Sequence, residues 1–179
     1  MQKKQVLSTQ RLVLLALMVA LNVVLGRLSV QFTPEIRLSV FGFLPIALAG
    51  MLMGPLYGGL TGAAGDILNY VLFTHVYGAY FPGYTLTAVL SGWWYGRMLH
   101  GNRVTWLRAI LAIAPVIILG EMLLNSVWVY MMYSKTFWAK LPLRLLTNAA
   151  ECPVKVLLLV GMAGAECLAV RRELRKRAS

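Results

Sequence analysis

Six long apolar runs, separated by short stretches rich in charge, Gly, Pro and Asn, organise the sequence: Leu12–Leu28, Leu38–Met53, Leu56–Phe73, Tyr84–Leu99, Leu107–Met132 and Pro142–Val170. A helix crosses a bilayer with roughly 20 residues at about 1.5 Å each, and the runs are of that order. Their apolar residues are continuous rather than alternating with polar ones, which predicts helices and speaks against the two-residue period of a transmembrane β-barrel. The second to fourth runs are short or interrupted by Gly and Pro. The first follows a basic start, Met1–Arg11, as a secretory signal would. It is longer than a signal core and no small-residue cleavage site follows it, so it counts as a span. The pattern predicts an all-α integral membrane protein, six transmembrane helices in a single domain over residues 1–179.

Composition agrees, with 59% hydrophobic and 13% charged residues leaving too little polar surface to cover a soluble globule. The net charge of +11 adds orientation. Lys3, Lys4, Arg11, Arg97, Arg103, Arg108 and the tail Arg171, Arg172, Arg175, Lys176 and Arg177 fall on one side of a six-span chain. Only Arg27, Arg37, Lys135, Lys140 and Arg144 fall on the other. The positive-inside bias therefore predicts cytoplasmic termini and a cytoplasmic loop from His100 to Arg108. The cations sit at span ends with no basic stripe interleaved with aromatics, which is not the footprint of a nucleic-acid binder. The basic tail serves topology, with contact to a partner as a second use. Cys152 and Cys167 lie inside the sixth run without the spacing of a disulfide framework or a zinc site.

Polar residues inside the membrane are costly and are functional candidates by default. In the predicted topology the third span carries Asp66, Asn69 and Tyr70 on one face of its outer half. The fifth carries Glu121, Asn125 and Trp128 at i, i+4, i+7, and the sixth carries Arg144, Asn148, Glu151 and Lys155 at steps of four, three and four. Three facing stripes at similar depth describe a pocket opening outward. The alternative is structural: Glu151 and Lys155 neutralise each other at i, i+4, and Asp66 and Glu121 make hydrogen bonds between helices. Glu166, near Arg171, belongs to the interface. Tyr80 and Phe81 lie in Gly78-Ala-Tyr-Phe-Pro-Gly83, turn residues beside flat rings that suit a loop closing over a planar ligand. Tyr130, Tyr133 and Trp138 fit an aromatic belt. Arg37, and with it Arg27, either pairs with a ligand carboxylate or snorkels at a span end. Gly50, Gly54, Gly58 and Gly62, then Gly92 and Gly96, are read as close helix packing within the chain. Ala16 and Ala20 form a separate small face on the first helix that could serve another chain.

No phosphate loop, His-Glu-x-x-His pair or nucleophile elbow occurs. Asp66 is the only aspartate, which excludes a catalytic aspartate pair, and His75 and His100 are predicted on opposite sides of the bilayer. The chain reads as a non-enzymatic binding subunit that borrows its energy, with neither metal nor cofactor of its own.

The stretch from Arg37 through Phe43-Leu-Pro45 and Gly50-Met-Leu-Met-Gly54-Pro55 to Gly59, then Gly62-Ala-Ala-Gly-Asp66, Gly78–Gly83, Leu90-Ser-Gly92 and Tyr95-Gly96, resembles the substrate-binding S components of energy-coupling factor (ECF) transporters. The nearest branch is the folate-specific one, FolT. The resemblance implies a multi-pass plasma-membrane subunit of an ABC-type importer that captures a vitamin outside the cell. It would dock on an EcfT-type membrane coupling protein with two ATPase subunits, which alone bind ATP, and topple to deliver its ligand. The family's Ala-x-x-x-Ala docking motif matches Ala16 to Ala20. Folate's pterin edge could be read by Asp66, Glu121, Glu151, Asn125 and Asn148, its rings stacked by Tyr80 and Phe81, and its glutamate tail met by Arg37, Arg144 or Lys155. Riboflavin, thiamine or pantothenate could be accommodated by a similar inventory. An intramembrane lipid-modifying enzyme with Glu121 or Glu151 as base, or a purely structural subunit, are the readings from other classes.

Overall fold

The computed structural model describes residues 9–26, 30–33, 36–38, 41–77, 80–102, 104–133 and 146–164. The first helix, α1 (Thr9–Gly26), leads into a two-stranded antiparallel hairpin of β1 (Val30–Thr33) and β2 (Ile36–Leu38), in which Val30 pairs with Leu38 and Gln31 with Arg37. The second apolar run thus divides. Leu38 ends a strand, and the helix α2 (Phe43–Met53) starts only after Gly42. At about 1.5 Å per residue, α2 rises roughly 16 Å, about half of the hydrocarbon thickness.

A sharp reversal joins α2 to α3 (Pro55–Tyr77). Gly54 takes φ 101°, a conformation open to glycine, and its N–H donates to the Gly50 carbonyl at 3.0 Å. Pro55 then opens α3, where a missing N–H costs nothing. The third helix loses helical geometry at Phe73 (φ −136°, ψ 34°) before its last turn, where the predicted span ended. The fourth, α4 (Pro82–Leu99), again starts on proline. The fifth span is composite: α5 (Trp106–Pro115), a π-helical stretch Val116–Leu124, and α6 (Asn125–Tyr133). Pro115 lacks a donor N–H, and the widened hydrogen-bond pattern follows directly after it. The sixth span is α7, described over Leu146–Gly164.

The glycine repeats pack helices within the chain, as the spacing predicts. Gly58 lies against the Gly92 carbonyl, Gly62 against the Ala88 carbonyl, and a Cβ on Gly50 would stand 2.7 Å from the Gly96 nitrogen. α3 and α4 therefore run antiparallel with their backbones in contact. An apolar core of Phe43, Ala47, Tyr95, Leu99, Ala109, Ala112, Ile113, Val116, Ile117, Val156 and Leu159 fills the end of the bundle where α4 finishes and α5 begins. Around the outside, large apolar side chains are turned outward, among them Leu17, Val24, Leu56, Leu60, Leu107, Leu119 and Leu157. An apolar surface of that extent calls for lipid rather than water. Two stretches, Trp106–Met131 and Leu146–Gly164, are by themselves long and apolar enough to cross a bilayer.

Candidate functional site

Polar side chains gather at the other end of the bundle, where α3 and α6 finish and α4 and α7 begin. At the boundary with the apolar core, Lys155 of α7 reaches Glu121 in the π-helical stretch at 2.8 and 3.1 Å and Glu151, one turn back on α7, at 2.6 Å. The three ammonium donors thus face three carboxylate oxygens. Lys155 and Glu151 are buried, whereas the Glu121 side chain keeps 27% exposure. The Phe43 ring lies 5.9 Å from the ammonium and 6.1 Å from the Tyr95 ring. Two carboxylates on one cation leave a net negative charge with its open side at Glu121.

Above this floor, α4 carries a stripe at steps of four that the sequence reading missed: Gly83, Thr87, Ser91 and Tyr95. Trp128 donates its ring N–H to the Thr87 hydroxyl at 3.1 Å and packs on Phe81 at 5.5 Å between centroids. A Cβ on Gly83 would intrude on both rings, and Gly120 faces Thr87 and Ser91. The stripe is small and polar enough to have been visible as a periodicity, yet it lies in a run that reads first as packing glycines.

The neighbouring face of α4 joins α3. Thr85 donates to the Asp66 carboxylate at 2.6 Å, and the Tyr80 hydroxyl lies 2.8 Å from the Thr85 hydroxyl. The Tyr80 and Tyr70 rings are 4.9 Å apart. Asp66, Tyr70 and Tyr80 thus form one cluster, with Thr85 as a link not anticipated. Asn69 turns towards α1 instead. Its amide donates to the Gly65 carbonyl at 2.9 Å and faces Asn22 at 3.5 Å, while buried Asn22 donates to the Gly42 carbonyl at 2.7 Å. Asn22 stands in an apolar run where no second polar residue marked a stripe.

Asn125 lies one turn beyond Glu121, at the start of α6. Asn148 is buried on α7, and its amide nitrogen has no hydrogen-bond partner among the described residues. Arg37 has its backbone in β2; Arg144 lies outside the described residues. Ala16 and Ala20 are both exposed on α1, on the side away from the buried Met18, Asn22 and Gly26. Among the described residues no group of three or more His, Cys, Asp or Glu could hold a metal ion.

Comparison with known proteins adds three findings. The family profile described as "ECF transporter, substrate-specific component" matches residues 10–163. Proteins named "Folate transporter FolT" are similar over most of their length. The one from Clostridium novyi (strain NT) is 34% identical over 151 residues, covering 84% of this chain and 86% of its own. The one from Leuconostoc mesenteroides is 32% identical over 156 residues, covering 84% and 82%. A crystal structure of FolT bound with folic acid superposes with a TM-score of 0.78 at 32% identity, over 85% of this chain and 90% of that one.

Proposed function

The chain belongs to the family of ECF transporter substrate-specific components, and we propose that its ligand is folate, bound from the extracellular side by one domain spanning residues 1–179. What carries the reading is the likeness, over nearly the whole chain, to a FolT structure that holds folic acid. The polar end of the bundle fits such a ligand. Glu121, held by Lys155, which also pairs with Glu151, offers acceptors to the donor groups of a pterin edge. Asp66 with Thr85, and the amides of Asn69, Asn125 and Asn148, supply further hydrogen-bonding groups. The pairs Tyr70 with Tyr80 and Phe81 with Trp128 present ring faces for stacking. Lys155, its donors already directed at carboxylates, serves as a strut, which leaves Arg37 and Arg144 for the glutamate tail.

In this reading the protein sits in the plasma membrane as a multi-pass subunit with both termini in the cytoplasm. The exposed face of Ala16 and Ala20 docks on an EcfT-type coupling protein whose two ATPases drive import. Hydrolysis of ATP belongs to those partners. The test is a titration of the purified, detergent-solubilised chain with folate, followed by tryptophan fluorescence, with riboflavin, thiamine and pantothenate as controls. Saturable binding of folate alone, at an affinity near nanomolar or roughly −12 kcal/mol, supports the proposal. Binding of one of the other vitamins instead replaces the ligand, and binding of none by a folded preparation sinks it.

A further inference from the structure

We infer that the Asn148 side-chain amide is a specificity determinant, a hydrogen-bond donor to the ligand that no described residue engages, at the expense of the fold's own stability. The inference rests on the folate reading and gives one residue a definite role within it. Asn148 is 8% exposed, and its Nδ2 makes no hydrogen bond among the described residues. A buried donor in that condition destabilises a protein unless something else satisfies it.

Its place on α7 indicates what that is. Asn148, Glu151, Lys155 and Leu159 follow at three, four and four residues and are all buried, so they form one inward stripe. Leu159 lies in the apolar core, and Lys155 and Glu151 are bound to each other and, through the ammonium, to Glu121. Asn148 comes next, about 4.5 Å of helix rise beyond Glu151, on the polar side of that floor. Asn69, by contrast, has its amide nitrogen anchored on the Gly65 carbonyl. With Lys155 committed, Asn148 supplies a neutral donor beside a negatively charged floor. Such a donor suits a carbonyl or ring-nitrogen acceptor on a planar ligand and, unlike a cation, brings no positive charge to pair with a carboxylate.

A purely structural amide and a ligand-directed one behave oppositely on removal. The test compares wild type, Asn148→Leu and Asn148→Ala, each purified in detergent, by thermal unfolding without ligand and by folate titration. Leu has similar volume and removes the orphaned donor. It is expected to raise the midpoint without folate while weakening folate binding at least about tenfold. Ala, which avoids any misfit of the larger side chain, is expected to weaken binding to a similar degree. Folate binding within about twofold of wild type in either folded variant overturns the inference. So does a lower midpoint in both variants without ligand, which makes the amide structural. A wild type that does not respond to folate is a failure of the folate reading itself and is seen before either variant is compared; the ligand-free midpoints then still decide for or against an orphaned donor.

Discussion

At the scale of single residues, Lys155 is the side chain on which most depends, because it is buried between two carboxylates. Removing one partner of a buried ion pair leaves uncompensated charge in low dielectric, which is far more harmful than never having had the pair. We therefore expect Lys155→Met to destabilise the protein by about 3–5 kcal/mol, read as a fall in the thermal midpoint of the detergent-solubilised chain. Glu151→Gln should cost less, since the ammonium keeps both oxygens of Glu121. A triple variant with Met at 155 and Gln at 121 and 151 should recover much of the loss. A triple variant no more stable than Lys155→Met alone would contradict the assignment to unpaired charge. The Glu151–Lys155 pair was legible from its spacing of four, and so was the choice between pocket and neutralisation. That Glu121 joins them was not, because it depends on how two helices register across a gap that no periodicity encodes. Asn22 was missed for a related reason: it is a lone polar group inside an apolar run and becomes meaningful only through neighbours from other helices.

Elements are set by backbone contact more than by side-chain chemistry. The close approach of α3 and α4 rests on Gly58 and Gly92, where a Cβ on Gly92 would overlap the Gly58 carbonyl. Backbone atoms cannot step aside as a flexible side chain can, so Gly92→Ala should force the helices apart at a cost of about 1–3 kcal/mol or more. Gly161→Ala is the internal control. That glycine is exposed with nothing within 4 Å of an added Cβ, and alanine should there stabilise the helix by up to about 1 kcal/mol. Equal effects of the two substitutions on thermal midpoint would show that helix propensity, not packing, sets the outcome. Repeats of four announced this packing in the sequence. Val30–Leu38, between the first and second apolar runs, pairs as a hairpin, an alternation of apolar and polar residues too short to stand out beside the long runs that flank it. The π-helical stretch around Glu121 left only Pro115 as a trace.

At the scale of the molecule, two surfaces and two ends are distinguished. Polar groups occupy the end where α4 and α7 begin, and the apolar core closes the opposite end. A ligand admitted at the polar end therefore meets a packed floor rather than a channel, and release at the other side requires movement of the whole subunit or of its helices. Such movement needs a surface that a partner can hold without disturbing the site. On α1, Met18, Asn22 and Gly26 face inward and Ala16 and Ala20 outward, so the docking face proposed above lies apart from the side turned to the bundle. Small side chains on the outer face let another helix approach closely. We expect Ala16→Leu with Ala20→Leu to leave folate affinity within about twofold of wild type, since neither side chain is buried in the subunit. The same substitutions should abolish copurification with the coupling protein and reduce folate uptake by more than about tenfold, because added bulk at a small-residue interface forces the helices apart. The paired readout matters. Loss of uptake together with loss of binding would mean that α1 acts through the site by way of Asn22, and unchanged uptake would move the docking surface to another of the exposed apolar faces.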